Sequence, residues 1–145
     1  MRIIIDMQGA QSSGSRNRGI GRYTLSLSKA IVRNRGKHEV ILALNGLFPE
    51  TIESIRADFE DLMPQENIRV WYAPGSVGNL NVENDWRRKA AELLREAFIA
   101  SLNPDVVLIT SLFEGLDDDV VTSIGLLSSN VPTAVILYDL IPFIH

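Results

Sequence analysis

The sequence predicts an α/β fold, a Rossmann-like three-layer structure in which helices cover both faces of a parallel sheet. Short, almost continuously apolar runs alternate along the chain with longer segments whose apolar residues recur at helical spacing. Strands that are apolar along their whole length are typical of parallel sheets buried on both faces. Since crossovers between parallel strands are right-handed, we expect the strand order 3-2-1-4-5.

Five apolar runs are predicted as the strands of this sheet. The first, Ile3-Ile4-Ile5, ends in Asp6, and the third is short, so we expect the third near an edge of the sheet. The predicted strands cover residues 2–7, 40–44, 68–72, 106–109 and 133–137.

Four segments between the strands are predicted as helices. They cover residues 20–34, a segment that begins at Pro49, residues 84–102 and residues from about 118 to 127. The apolar stripe of the first would bury Tyr23, Leu27, Ala30 and Ile31, and that of the third would bury Trp86, Ala90, Leu93, Ala97 and Phe98.

Metal binding is not expected from this sequence. Asp117 and Asp119 have the D-x-D spacing of some metal sites, but they precede a predicted helix, and carboxylates there cap the N-terminus and complement its dipole. The two histidines, His38 and His145, are far apart in the sequence, and cysteine is absent. We therefore predict no metal and no other cofactor.

A glycine-containing helix start is the most informative motif. Gly19-Ile20-Gly21-Arg22-Tyr23 follows the first strand and a polar loop. A helix N-terminus presents unpaired N–H groups and a partial positive charge, so an arginine in its first turn makes better sense if an anion binds there. A tight turn of the kind found throughout α/β proteins is the alternative interpretation. The dinucleotide-binding fingerprint does not fit, because Thr24 stands where it needs glycine or alanine and the second strand ends near Asn45 rather than in an acid.

Three polar segments follow strands whose carboxyl ends meet at one edge of the predicted sheet. They are the loop 8–19, residues 110–115 and the pair Tyr138-Asp139. Ligands of open α/β sheets bind at this edge, where the strand order reverses. We therefore predict that a phosphate or a sugar binds beside Gly19 to Arg22 and near Glu114 or Asp139.

Composition excludes several classes of protein. The chain has 145 residues, of which 46% are apolar and 22% charged, and a formal net charge of −4, which gives no overall attraction to nucleic acid. No signal peptide and no apolar run of membrane-spanning length are found, so we expect a cytoplasmic protein. Half of the 14 basic residues fall between Met7 and His38, where no acidic residue occurs. This stretch is interpreted either as a solvated face or as a docking patch for acidic lipid head groups or phosphorylated ligands.

In this order and spacing the motifs resemble bacterial glycosyltransferase family 4 (group 1), and within it the mannosyltransferase-like enzymes that build O-antigen and other surface polysaccharides. The resemblance covers essentially all of the chain. It rests on the first strand with Asp6, the helix start at Gly19, the turn Phe113-Glu114-Gly115, the stretch from Asp118 to Ile124 and the sequence Tyr138-Asp139-Leu140-Ile141-Pro142.

The resemblance implies a retaining glycosyltransferase of GT-B architecture, in which two Rossmann-like domains face each other across a cleft and no metal is needed. We interpret residues 1–145 as the N-terminal, acceptor-side domain of a longer enzyme, because the chain stops after a strand without a closing helix. The resemblance places the glycine loop, with Gly19, Gly21, Arg22 and Tyr23, near the donor diphosphate and the acceptor. Asp139 matches the aspartate of a His-Asp pair near the transferred sugar, whereas Tyr138 stands at the histidine position.

The implied partners are a nucleotide-diphosphate sugar such as GDP-mannose, a glycan or lipid-linked acceptor, and the enzyme's own C-terminal domain. The protein would contact the inner membrane peripherally from the cytoplasmic side, and no nucleic acid is expected. Alone, the domain is expected to be inactive as a transferase. The alternative hypothesis is a non-catalytic α/β module that binds an anionic ligand or a protein partner.

Overall fold

A parallel sheet forms the centre of the molecule. A computed structural model describes residues 1–13, 16–78, 81–111, 118–126 and 131–136. The strands are β1 (Arg2–Asp6), β2 (Glu39–Asn45), β3 (Ile68–Trp71), β4 (Val106–Ile109) and β5 (Thr133–Val135). All paired strands are parallel, and their order is β3-β2-β1-β4-β5. The predicted fold class and strand order are confirmed.

Helices lie on both faces of the sheet. They are α1 (Gln8–Gln11), α2 (Gly19–Arg33), α3 (Pro49–Asp58) and α4 (Asp85–Ser101), and short 3-10 turns precede β3 and α4. Successive residues of β2 point to opposite faces. Leu42 packs in one cluster with Val32 of α2 and Phe59 after α3, whereas Ile41 packs in another with Ile99 of α4. The three-layer arrangement therefore follows from the alternation of apolar residues along the strands.

The buried faces of α2 and α4 differ from the predicted ones. Tyr23 and Trp86, both predicted to point inward, are 52% and 63% exposed. The buried residues are Gly21, Thr24, Ser28 and Val32 in α2, and Arg88, Ala91, Arg95 and Ile99 in α4. The apolar stripe is only partly right: Ile31 and Phe98 pack against the core as predicted. It misses the small residues that let α2 approach its neighbours and the buried arginines of α4 that bond to groups at the edge of the sheet.

No helix is present in residues 118–126, although the sequence predicts one there. These residues follow an irregular path past the carboxyl ends of β1 and β2. Several of their backbone groups bond to side chains of other elements, among them Gln8, Asn45 and Arg95.

None of the helices in the described part of the chain is long and apolar enough to cross a membrane.

Candidate substrate-binding site

The N-terminus of α2 is open to solvent. Gly19 is its first residue, and a Cβ added there would meet no atom of the described residues within 4 Å, whereas Gly21 is buried. Arg18, the N-cap residue, makes no capping side-chain hydrogen bond, and the first turn contains no acidic residue. Arg22 and Tyr23 are exposed, and Arg22 has no side-chain partner among the residues that the structure describes. Unpaired N–H groups and positive charge thus face one open surface, as an anion site requires.

The carboxyl ends of β1 and β4 meet beside α1 and α2. The hydroxyl of Thr110 donates to the carbonyl of Asp6 at 2.5 Å and accepts a hydrogen bond from the Gly9 N–H at 3.3 Å. A Cβ added to Gly9 would lie 2.7 Å from Oγ1 of Thr24 and 3.3 Å from Cβ of Ser111, so this close approach requires glycine. The loop after β1 therefore meets the end of β4, as the topology predicts.

Several predicted site residues lie outside the part of the chain that the structure describes, namely Glu114, Gly115, Tyr138 and Asp139. Their participation in the site stays a prediction. The residues on either side of 112–117 are described, and both sides bond to the α1 region. Thr110 does so through Gly9, and the Asp118 carboxylate accepts a hydrogen bond from the hydroxyl of Ser12 at 2.5 Å.

Residues 118–123, which we call the edge segment, are held by side chains of other elements. The amide of Gln8 bonds to both backbone groups of Val121, donating to its carbonyl at 2.7 Å and accepting from its N–H at 2.8 Å. Asn45, the last residue of β2, donates to the carbonyl of Asp119 at 2.8 Å. Nothing in the sequence predicts a structural role for Gln8 or Asn45. The informative pattern is a polar residue at the carboxyl end of a buried apolar strand or within two residues after it.

Two arginines of α4 complete the attachment of the edge segment. Arg95 donates to the carbonyl of Ser123 at 3.0 Å, and its Nη2 and Nε donate to the carboxylate of Asp6 at 2.5 and 3.1 Å. The side chains of Asp6 and Arg95 are each 2% exposed. Arg88 lies on the same face of α4 and donates to the carbonyl of Val77 at 2.8 Å and to that of Val120, in the edge segment, at 3.4 Å. Asp6 and Arg95 bond to each other, and neither is open to a ligand.

The carboxylates of the edge segment cap no helix, so the predicted capping role is wrong for Asp119. Asp118 bonds to Ser12, and Asp119 accepts from the Val77 N–H at 2.8 Å and from the Ser76 hydroxyl at 3.2 Å. They tie the edge segment to the loops after α1 and β3. Among the described residues, no group of three or more His, Cys, Asp or Glu could hold a metal ion.

Part of the basic stretch is tied to α3. Arg16 donates to the Glu50 carboxylate at 2.8 Å, and Lys29 lies 3.9 Å from the carboxylate of Asp58. The pKa of Glu50 lies below its ordinary value, because its carboxylate accepts a backbone hydrogen bond in the first turn of α3 and a further one from Arg16. Arg16 and Lys29 thus have acidic neighbours, whereas Arg22 is exposed at the start of α2.

A cavity of about 460 Å³ lies between α4, β4 and β5, away from the start of α2. Ile99, Val107 and Ile109 form an apolar wall. Its charged lining residues, Arg95 and Glu96, already bond to the edge segment. None of the predicted site residues that the structure describes lines this cavity, so we assign the site to the start of α2 instead.

Known proteins resemble this chain in sequence. No family model and no solved structure matches it. The Escherichia coli protein "Serotype-specific mannosyltransferase WbdA" is 38% identical over 148 residues, which cover all of this chain and 17% of the relative. Two further E. coli proteins of the same name are each 34% identical over 122 residues, which cover 82% of this chain and 15% of the relative. The chain thus spans less than a fifth of the length of the curated relatives it matches.

These matches bear on the resemblance that the motifs predict. The first match extends over the whole chain, and the other two extend over 82% of it. The resemblance to mannosyltransferase-like glycosyltransferases is confirmed as a similarity in sequence that extends over the whole chain.

Proposed function

We propose that the chain is the N-terminal, acceptor-side domain of a two-domain, retaining family 4 glycosyltransferase of GT-B architecture. The enzyme transfers mannose from GDP-mannose to a glycan or lipid-linked acceptor during synthesis of a surface polysaccharide. It acts at the cytoplasmic face of the membrane as a peripheral protein. The observation that carries this proposal is the 38% identity, over the whole chain, to a protein named as a serotype-specific mannosyltransferase.

The open start of α2 supports a role in holding the donor diphosphate. Transfer from a nucleotide sugar releases a nucleoside diphosphate, so negative charge develops on the leaving group. Catalysis then depends on positioning both substrates and on donors aimed at that charge. The N–H groups at the start of α2 and the side chain of Arg22 supply such donors, and Gly19 leaves room for the ligand to approach the backbone.

The remaining site residues act on the sugars. Glu114, on the turn that includes Gly115, hydrogen-bonds a sugar hydroxyl. Asp139 lies near the transferred sugar, with Tyr138 beside it at the position where the family has histidine. The exposed ring of Tyr23 contacts the substrate from the first turn of α2.

Replacement of Arg22 by alanine tests this assignment in the intact protein. Transfer from GDP-mannose should fall tenfold or more, as expected for one lost charge-assisted hydrogen bond of roughly 1.5–3 kcal/mol. Thermal unfolding should change little, because an exposed charge contributes at most about 1 kcal/mol. Arg33→Ala, at an exposed position in the last turn of the same helix, is the matched control and should keep full activity.

Gly19→Ala gives a second test that does not change charge. The new methyl group meets none of the described residues within 4 Å, so we expect folding to be unaffected while approach of a ligand to the helix start is blocked. If both variants lose activity only in proportion to their folded fraction, the site lies elsewhere. If the wild-type protein transfers no sugar from GDP-mannose or other nucleotide sugars yet binds nucleoside diphosphate, the chain is a non-catalytic binding module.

A further inference from the structure

We propose that the solvent side of α4 binds the same side of α4 in a second copy of the chain, with the two helices antiparallel. The surface consists of Trp86, Ala90, Leu93, Ala97 and Ala100, which we call the outer stripe. Such a dimer does not depend on the proposed transfer reaction. It gives the protein a further partner, which is a second copy of itself.

The outer stripe lies opposite the face of α4 that packs on the sheet. Its residues follow one another at intervals of three or four, so they share one side of the helix. Trp86 and Leu93 are 63% and 45% exposed, and Ala97 and Ala100 are exposed as well. A surface helix normally turns charged and polar residues toward the solvent. An aligned apolar row in that place, unlike scattered apolar residues, indicates an interaction site.

The outer stripe is complementary to itself in shape. Trp86, Leu93 and Ala100 are spaced by seven residues, so Leu93 lies midway between a very large side chain and a very small one. When two copies pack antiparallel about Leu93, Trp86 of each copy lies over Ala100 of the other, and Ala90 lies beside Ala97. A surface that matches itself in reverse order is what a dimer with twofold symmetry requires.

Charge complementarity favours the same arrangement. Lys89 and Glu96 are also seven residues apart and flank the outer stripe on one side. In an antiparallel pair about Leu93, Lys89 of each copy comes next to Glu96 of the other. Lys89 is exposed and forms no hydrogen bond or ion pair with the part of the chain that the structure describes. Glu96 accepts hydrogen bonds from the Ser123 hydroxyl and the Leu126 N–H, but a carboxylate has about four acceptor sites.

A membrane surface fits the outer stripe less well than a protein does. Helices that lie on anionic membranes are rich in lysine and arginine along their polar side. The charged residues that flank the outer stripe have both signs, since Arg87 and Lys89 are accompanied by Asp85 and Glu96. The Arg87 guanidinium also lies 5.3 Å from the centre of the Trp86 ring, where it is attracted to the ring. This mixture of charges favours a second protein surface of equally mixed charge.

The dimer should be weak and should leave the proposed site open. α4 has 17 residues and is therefore about 25 Å long, so one pair of helices forms an interface at the small end of the range, where complexes are transient. Val32 of α2 packs in one core cluster and Ile99 of α4 in the other, on opposite faces of the sheet. The start of α2 thus stays accessible in both copies.

Single cysteine variants test the arrangement, because residues 1–145 contain no cysteine. In the intact protein, with any cysteine outside these residues replaced by serine, Leu93→Cys should form a disulfide-linked dimer on mild oxidation. Trp86→Cys should not cross-link with itself, since its two copies lie about 21 Å apart, but should cross-link when mixed with Ala100→Cys. Ser26→Cys, at an exposed position of α2, is the control that defines random collision.

Sedimentation equilibrium measures the dimer without a cross-link. Leu93→Lys places two like charges at the twofold axis and should raise the dimer Kd about tenfold or more. Lys89→Glu, which brings like charges together at two places, should raise it about fivefold or more at low salt. Lys37→Glu makes the same change at an exposed position outside α4 and should change the Kd less than about twofold. Sugar transfer per folded chain should be unchanged in all three variants.

Several results would overturn the inference. They are a wild-type protein that stays monomeric up to about 1 mM, Leu93→Cys cross-linking no stronger than that of Ser26→Cys, and self-cross-linking of Trp86→Cys as strong as that of Leu93→Cys. A monomeric protein whose binding to vesicles of phosphatidylcholine and phosphatidylglycerol is lost in Trp86→Ala would assign the outer stripe to the membrane instead. Absence of sugar transfer from any nucleotide sugar overturns the proposed function and leaves the dimer standing.

Discussion

Asp6 and Arg95 form an ion pair between the end of β1 and the middle of α4. Each of the two side chains is 2% exposed, and the guanidinium also donates to the carbonyl of Ser123. The second carboxylate oxygen accepts from the Gln8 N–H at 3.1 Å. Taking two charges out of water is costly, and the pair is tolerated because the polar atoms of both partners are bonded. Replacing one partner of the pair should therefore lower stability more than would be expected from replacing both together.

A double-mutant cycle of Asp6→Asn and Arg95→Met tests this expectation. Each single variant leaves one buried charge without its partner and should lower the free energy of unfolding by about 3–5 kcal/mol. The double variant should be less destabilised than the sum of the two, because no unpaired charge remains. Chemical unfolding of the four proteins provides the measurement.

Lys29→Met is the control for this cycle. Lys29 and Asp58 form a longer and more exposed pair, with a distance of 3.9 Å, so the change should cost less than about 1 kcal/mol. If Arg95→Met loses no more stability than Lys29→Met, burial of the Asp6–Arg95 pair does not make the loss of one partner more costly, and the expectation is wrong.

At the scale of elements, the sequence predicts the strands well and the helix faces poorly. Strands are recognised from apolar runs because they are buried on both sides of the sheet. The face of a helix is predicted from its apolar stripe, which assumes that the apolar side is the buried one. In α4 that assumption fails, since Arg88 and Arg95 point inward to their bonding partners and leave Trp86 and Leu93 exposed.

The helix expected at 118–127 fails for a related reason. The edge segment is held by bonds to residues distant in sequence, such as the pair Gln8 and Val121, which are 113 residues apart. Propensity and spacing report on neighbours in the chain and contain no information on such pairs. Gln8 and Asn45 bond to backbone groups of the edge segment in place of helical hydrogen bonds. They come close to these groups only because the sheet brings the ends of β1 and β2 together.

Substitution in α4 tests which of its faces is buried. Ala91 is fully buried beside Trp71, Val77 and Val121, so Ala91→Gln should lower the free energy of unfolding by more than about 2 kcal/mol through overpacking and an unpaired amide. Leu93→Gln changes an exposed residue of the same helix and should cost about 0.5 kcal/mol or less. Thermal or chemical unfolding distinguishes the two. The reverse ranking would mean that α4 is rotated to bury its apolar stripe.

At the scale of the whole molecule, the fold and one part of the site could be predicted from the sequence. The predicted strand order places the loop after β1 beside the end of β4. In the structure these two segments are joined by the hydrogen bond from the Gly9 N–H to the Thr110 hydroxyl. The network beneath the site could not be predicted, because nothing in the sequence indicates that Asp6, Gln8 and Asn45 bond to one another. In the structure they bond to one another and to the edge segment instead.

The contrast between the exposed start of α2 and the internally bonded ends of β1 and β2 indicates what residues 1–145 can do alone. The start of α2 offers positive charge for a diphosphate, whereas the polar side chains at the ends of β1 and β2 are already used inside the protein. Transfer requires that donor and acceptor be positioned together and that the leaving diphosphate be stabilised, and under the proposed function a second domain supplies the other side of the cleft. The 145-residue chain alone should therefore transfer no sugar from GDP-mannose, while the longer protein should do so. Both are assayed side by side with a panel of nucleotide sugars, after hydrogen exchange in β1 and β2 has shown that the sheet is formed in each. Transfer by the shorter chain at a rate near that of the longer protein would place the complete active site within these residues.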